Sequence, residues 1–264
     1  MDVICSEDDF SRYKLIVAPM MYLCTEQAGA ALEAFVAGGG TLVATYWSGI
    51  VNESDLCHLG GFPGPLRQVL GIWSEEMDGL HEGERNEMVC LKDNALGLEG
   101  SYGLYDLCDL IPGRRPGACR IRRRFLCRAS GADGSCLLGK AKAYYLASRA
   151  KEPFYADFYA RLIREAGVRQ AIDTELPEGV TAQLRSDGGT DYVFVLNFSG
   201  RVQQVKLDSR QYTDVLSGET VKGGMELNKH GFRILKRNAM QIIITKAEPA
   251  APASFHRVTY LWAK

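Results

Sequence analysis

Side chains with chemical reach are few in this chain and widely spaced. Cys24 follows a short apolar run, Leu15–Ala18, so a thiol sits near the end of a strand buried on both faces. Such a thiol could be a nucleophile, but no Gly-rich elbow surrounds it. His58, within CHLGGFPGP, could be a ligand or a base, although a histidine in such a turn ordinarily hydrogen-bonds backbone. Gly60, Gly61, Pro63, Gly64 and Pro65 shape a loop and a helix entry. The loop is no phosphate cradle, because it lacks both G-x-G-x-x-G and G-K-[ST]. The glycines at 38–40 follow a helix rather than a strand, the wrong context for a nucleotide loop.

Residues 112–138, PGRRPGACRIRRRFLCRASGADGSCLL, carry a different chemistry. They hold seven of the twenty arginines, three of the eight cysteines and one acidic residue. Arg122 to Arg124 beside Phe125 could contact phosphates and stack a base, which is the nucleic-acid reading of 114–128. Cys119, Cys127 and Cys136 could hold a metal, but their spacings are wide and no histidine is near.

The chain's bulk properties are ordinary. Its 264 residues suffice for two modest domains with cores, and 46% apolar with 24% charged residues suits a soluble protein. A net charge of −1 gives no polyanion-binding bias over the whole chain. No apolar run reaches the ~18 residues of a membrane span, and MDVICSEDDF has no signal-peptide pattern. The cysteines form no C-x-x-C pair, so free thiols in a reducing cytoplasm are expected.

Elements follow from periodicity. Leu15–Ala18 and 41–46 read as strands around a helix capped by Thr25, with Ala28, Ala31, Leu32, Phe35 and Val36 as its apolar stripe. Strand, helix, strand implies a parallel pair with a right-handed crossover. A short helix begins at Pro65, and 87–91 and 141–147 read as strands. Over 153–166, Phe154, Phe158 and Leu162 line up on one helix face. From Pro177 the period becomes two. Tyr192, Phe194, Leu196 and Phe198 alternate, and short strands follow at 202–207, 213–216, 219–221, 225–227 and 232–235. Turns are expected at Ser217 with Gly218 and over 222–224. The fold class is α/β: a layered domain with a mostly parallel sheet over 1–168, then a small all-β antiparallel sandwich over 169–237. Residues 238–264 read as a tail.

Several phrases carry a resemblance. YKLIVAPM, HLGGFPGPLR and AYYLASR resemble the middle, trimerisation domain of glycoside hydrolase family 42 β-galactosidases; LNFSG, DVLSGE and GFRILK resemble that family's C-terminal β domain. The resemblance covers 1–111 and 139–237. It implies a flavodoxin-like or amidotransferase-like first domain, a homotrimer for the intact enzyme, and retaining hydrolysis of terminal β-galactosides. The family's (β/α)8 barrel needs roughly 250 residues, whereas twelve precede Tyr13 here. The catalytic barrel is therefore expected to be absent, with no catalytic, cofactor-binding or metal-binding residue in this chain. Retention needs two carboxylates about 5 Å apart. The family's acid/base glutamate follows an asparagine, yet Asn52 with Glu53, and Asn86 with Glu87, lie in the middle-domain match and read as surface polar residues. Cys24 lies where amidotransferase-like folds keep a nucleophile, but their C-terminal His-x-Glu is missing. Trp47 and Tyr46 end the second strand and read as core or as contacts to a partner subunit or barrel.

Within 112–138 the resemblance stops. Residues 121–128 can be written ATA CGG CGA CGA TTT TTA TGC CGG, and one base later this reads YGDDFYAG, the family's text at that place. Two compensating frame changes are expected, leaving a basic segment that loops into solvent beside a damaged sheet. With the barrel expected absent and this segment altered, trimerisation of this chain is in question. The expected role is a non-catalytic part serving oligomerisation and scaffolding; the alternative is a free-standing interaction module or, with a separately encoded barrel as partner, half of a split enzyme. No cofactor, membrane or nucleic-acid partner is expected.

Overall fold

The structure, a computed structural model, describes residues 2–92, 94, 96–111, 119–121, 137–138, 143–239 and 258–261. Two units result, Met1–Val168 with Ala253–Lys264, and Arg169–Pro252.

Unit one starts with β1 (Asp2–Ile4), β2 (Leu15–Ala18), α1 (Glu26–Ala37) and β3 (Thr41–Thr45). β2 and β3 pair in parallel, Leu15 beside Thr41 and Ala18 beside Ala44, the expected strand–helix–strand unit. The Thr25 hydroxyl accepts the Ala28 N–H at 3.1 Å and starts α1, whose buried face is Ala28, Gly29, Leu32 and Phe35. A Cβ on Gly40 would meet the Phe35 ring at 2.2 Å, so a side chain here would push that ring from its place against the sheet. A 3₁₀ turn over Gly64–Leu66 leads into the short α2 (Arg67–Leu70).

The next strands are β4 (Glu76–Gly79), β5 (Asn86–Cys90), β6 (Ser101–Leu110) and β7 (Cys119–Ile121). Then come β8 (Leu137–Leu138), β9 (Ala143–Leu146), β10 (Ser148–Ala150) and α3 (Glu152–Glu165). β9 extends the first sheet in parallel on β3, and β8 closes that edge antiparallel. β10, β6, β5 and β7, with β4 on β6, form a second, antiparallel sheet, so unit one is not one parallel layer. The expected solvent loop over 112–138 is corrected in two places, since 119–121 pair with β5 and 137–138 with β9. Residues 112–118 and 122–136 lie outside the described residues, and with them most of the arginine-rich reading and the Cys127 and Cys136 ligands.

Strands buried on both faces feed two cores by alternation. Ile16, Ala18, Leu42 and Ala44 pack with α1; Leu15, Val17 and Val43 pack with Phe154, Phe158 and Leu162 of α3. Phe154 and Phe158 stack at 5.4 Å. Each fully buried Leu, Ile or Val contributes about 1.5–3 kcal/mol.

Unit two is β11 (Val180–Ser186), β12 (Thr190–Asn197), β13 (Gln203–Asp214), β14 (Thr220–Leu227) and β15 (Phe232–Asn238). They form one antiparallel sheet, ordered β11-β12-β15-β13-β14, in place of the expected two-sheet sandwich. The pieces expected at 202–207 and 213–216 are one strand, β13, whose register shifts between Lys206 and Gln211. The turn expected at 222–224 lies inside β14. In β12 the period is two, but the buried residues are Val193 and Val195, flanked by Asp191 and Asn197, while Phe198 is exposed. A last strand, β16 (Val258–Leu261), lies within the expected tail, in the first sheet between β1 and β2.

Candidate functional site

The best-defined functional geometry lies at the carboxyl ends of β2 and β3, where parallel α/β sheets commonly present their working surfaces. Beyond Ala18 and Thr45 the chain leaves the sheet through two residues in left-handed backbone, Met20 at φ 45° and Trp47 at φ 60°. Each costs about 1–2 kcal/mol, so the surroundings must impose them. They do so by hydrogen bonds. The Thr45 hydroxyl accepts the Met20 N–H at 2.8 Å and the Ser48 hydroxyl accepts the Met21 N–H at 3.0 Å. The Trp47 N–H donates to Asp109 Oδ2 at 3.2 Å, and the Tyr145 hydroxyl donates to the same oxygen.

Two aromatic rings are presented as a result. Tyr22 and Trp47 meet edge to face at 5.8 Å and stay 41% and 38% exposed. Tyr46, by contrast, is buried. Asp109 is only 3% exposed, and burial pushes its carboxyl up to about 6 despite the bonds from Tyr145 and Trp47. None of Asp109, Tyr145, Thr45, Ser48 or Met20 is legible as functional in the sequence; each is recognised by which backbone N–H it holds or by its own φ.

The sequence candidates fall elsewhere. Cys24 is fully buried, and burial, helped by nearby Glu26, pushes its thiol up to about 12, so it is no nucleophile at neutral pH. His58 hydrogen-bonds backbone, as expected for a turn histidine: Nε2 donates to the Cys24 carbonyl at 2.9 Å. Asn52 Oδ1 accepts the N–H groups of Ser54 and Leu56 and shapes the loop, and Glu53 is exposed. Asn86 corrects the surface expectation: it is buried, and its Oδ1 accepts the Glu87 N–H at 2.8 Å. Cys5, Cys24, Cys57, Cys90 and Cys108 carry no disulfide. Among the described residues no cluster suits a metal, and no helix is long and apolar enough to cross a membrane.

An open cleft of about 750 Å³ lies between the 80–85 turn and the start of α3. Two of its carboxylates are engaged locally. Asp106 pairs with Arg149 at 2.6 Å, and Glu84 accepts the His81 N–H at 2.9 Å. Arg149 also covers the Tyr105 ring, 4.8 Å from its centroid.

The first sheet thus presents Tyr22 and Trp47 at the carboxyl ends of its parallel strands, and the second unit is a five-stranded antiparallel sheet. Family models match accordingly: the β-galactosidase trimerisation domain over residues 1–169 and the β-galactosidase C-terminal domain over 179–237. The chain belongs to the glycoside hydrolase family 42 β-galactosidases, of which it carries these two domains. It is 41% identical over 236 residues to β-galactosidase Pbg of Clostridium perfringens, covering 89% of this chain and 34% of that protein. It is likewise 41% identical over 239 residues to BglY of Alicyclobacillus acidocaldarius, covering 90% and 35%. The crystal structure of the cold-adapted β-galactosidase from Rahnella sp. R3 superposes with a TM-score of 0.79 at 41% identity, over 90% of this chain and 34% of that one. The β-galactosidase from Bacillus circulans sp. alkalophilus gives 0.81 at 36%, over 89% and 34%. The chain thus spans about a third of the length of these relatives.

Proposed function

We propose that this chain is the assembly scaffold of a cytoplasmic β-galactosidase, holding subunits in a trimer and contributing no bond-cleaving group. The observation that carries this reading is the Tyr22–Trp47 pair, held exposed on strained backbone within the region matched by a trimerisation domain. Strained residues held by a hydrogen-bond network point to use of the surface they present. The layered unit is of the flavodoxin-like kind, with the nucleophile position occupied by an inert, buried thiol. Residues 112–138 read best as frame-shifted filler, which codons incompatible with the shifted reading would remove.

Light scattering on the purified chain tests the scaffold: the expected mass is three times 29.1 kDa, and a clean monomer removes the proposal. The same preparation should release nothing from a chromogenic galactoside. If a separately encoded barrel is the natural partner, mixing the two raises hydrolysis above that of the barrel alone.

A further inference from the structure

The loop between β3 and α2 is held more firmly than a connection requires. Asn52 Oδ1 accepts two N–H groups of its own turn. His58 ties the loop to the Cys24 carbonyl, and Arg67 Nη1 donates to the Gly60 carbonyl. A Cβ on Gly61 would meet Trp73 Nε1 at 2.6 Å, and one on Gly64 would meet His58 Cδ2 at 2.5 Å, so glycine is required for both close approaches. At the tip of this braced loop Leu59 is 100% exposed, and Leu56 is 63% exposed. Backbone bonds run from the tip to the aromatic pair. The His58 N–H donates to the Ile50 carbonyl, the Ile50 N–H donates to the Tyr22 carbonyl, and Leu23 bridges Val51.

We infer that Leu59 is the anchor by which one copy of this chain docks on a second copy. This rests on the scaffold reading and names the contact within it. A leucine in full contact with water on a pre-ordered loop loses little freedom on burial, which is what an interface anchor needs. The partner is a second copy because the loop lies inside the region matched by a trimerisation domain and is continuous with the Tyr22–Trp47 face.

The test is sedimentation velocity on the full 264-residue chain as wild type, Leu59→Asp, Leu59→Ser, Leu59→Met and, in unit two, the exposed control Leu216→Asp. The expected result is a trimer for wild type, Leu59→Met and Leu216→Asp, with dissociation at about tenfold or more higher concentration for Leu59→Asp and Leu59→Ser. Unchanged association of both polar variants overturns the anchor and leaves the scaffold standing. A monomeric wild type removes the scaffold, and the anchor with it. Weakening by Leu216→Asp equal to that by Leu59→Asp also overturns the anchor, since the effect is then not local.

Discussion

At the residue scale, Asp109 is a buried carboxylate that meets no cation among the described residues. Its Oδ2 fixes the Trp47 N–H, and the strained turn follows from that bond. Holding the charge there has a thermodynamic consequence. The folded value of about 6 lies above the ordinary 3.8, so the folded state binds the proton more tightly. The group's stabilisation is complete below about pH 4 and is lost as pH rises through about 6. A rise of about two units corresponds to roughly 3 kcal/mol of difference between the two ends of that window. Asp109→Asn removes the titration, so it should be about 3 kcal/mol more favourable, relative to wild type, at pH 7 than at pH 4. Denaturant unfolding at both pH values measures this, and equal effects would show that Asp109 does not titrate there. Thiol chemistry gives a second prediction at this scale. Burial pushes Cys24 and Cys108 up to about 12, so peptide mapping after brief alkylation at pH 8 should find label on exposed Cys5 and Cys57 and little on Cys24 or Cys108. Rapid labelling of Cys24 would reopen its candidacy as a nucleophile.

Elements were legible where one physical cause sets them. β2, α1 and β3 were readable because an uninterrupted apolar run, an N-cap and a period of 3.6 agree. The antiparallel sheet was not, because β6 mixes exposed and buried positions without strict alternation and β4 is the acidic EMDG. In β12 the period was visible and the face was not. Both faces are apolar, so alternation alone could not choose between Val193 with Val195 and Phe194 with Leu196. The choice is fixed by polar residues at the strand ends, which sequence does not mark as buried. Asn197 Nδ2 donates to the Asn228 carbonyl at 2.8 Å. Asp191 is gripped by Arg169 and by Arg237, whose Nε lies 3.2 Å from Oδ2. Arg237 Nη1 in turn donates to the Tyr212 hydroxyl at 2.7 Å. Burial alone would raise the Asp208 carboxyl, but the hydrogen bonds from Arg210 hold it well below the usual carboxylate range. Asp191→Ala leaves buried Arg237 with only the more distant carboxylate of Asp208, 3.8 Å from Nη1, and should destabilise unit two by about 3 kcal/mol. Arg233→Ala, at a partly exposed pair with Glu219 and Asp214, should cost under about 1 kcal/mol. Urea unfolding followed by a unit-two probe compares them, and equal small losses would mean that the buried pairs do not set the face.

At the scale of the whole molecule, the described stretches nearest the two ends meet in one sheet. β1 pairs in parallel with β16, Asp2 beside Thr259, and β16 pairs in parallel with β2, Val258 beside Leu15. The first sheet is therefore completed by residues that lie beyond unit two in the sequence. Such long-range pairing is slow to form, and although VTYL is made of strand-forming residue types, nothing local marks β1 and β2 as its partners. Its mechanical meaning is that unit one cannot reach its full sheet until the chain through 261 has been made. Deleting residues 253–264 should leave the β2 backbone without its partner on that side. Hydrogen exchange read by mass spectrometry should then quicken by about tenfold at amides 15–17, while β12 in unit two keeps its wild-type rates. Unchanged exchange at 15–17 would mean that β16 does not lie between β1 and β2 in solution. Equal quickening in β12 would mean that the two units do not open independently, and the distinction between them would have to be withdrawn.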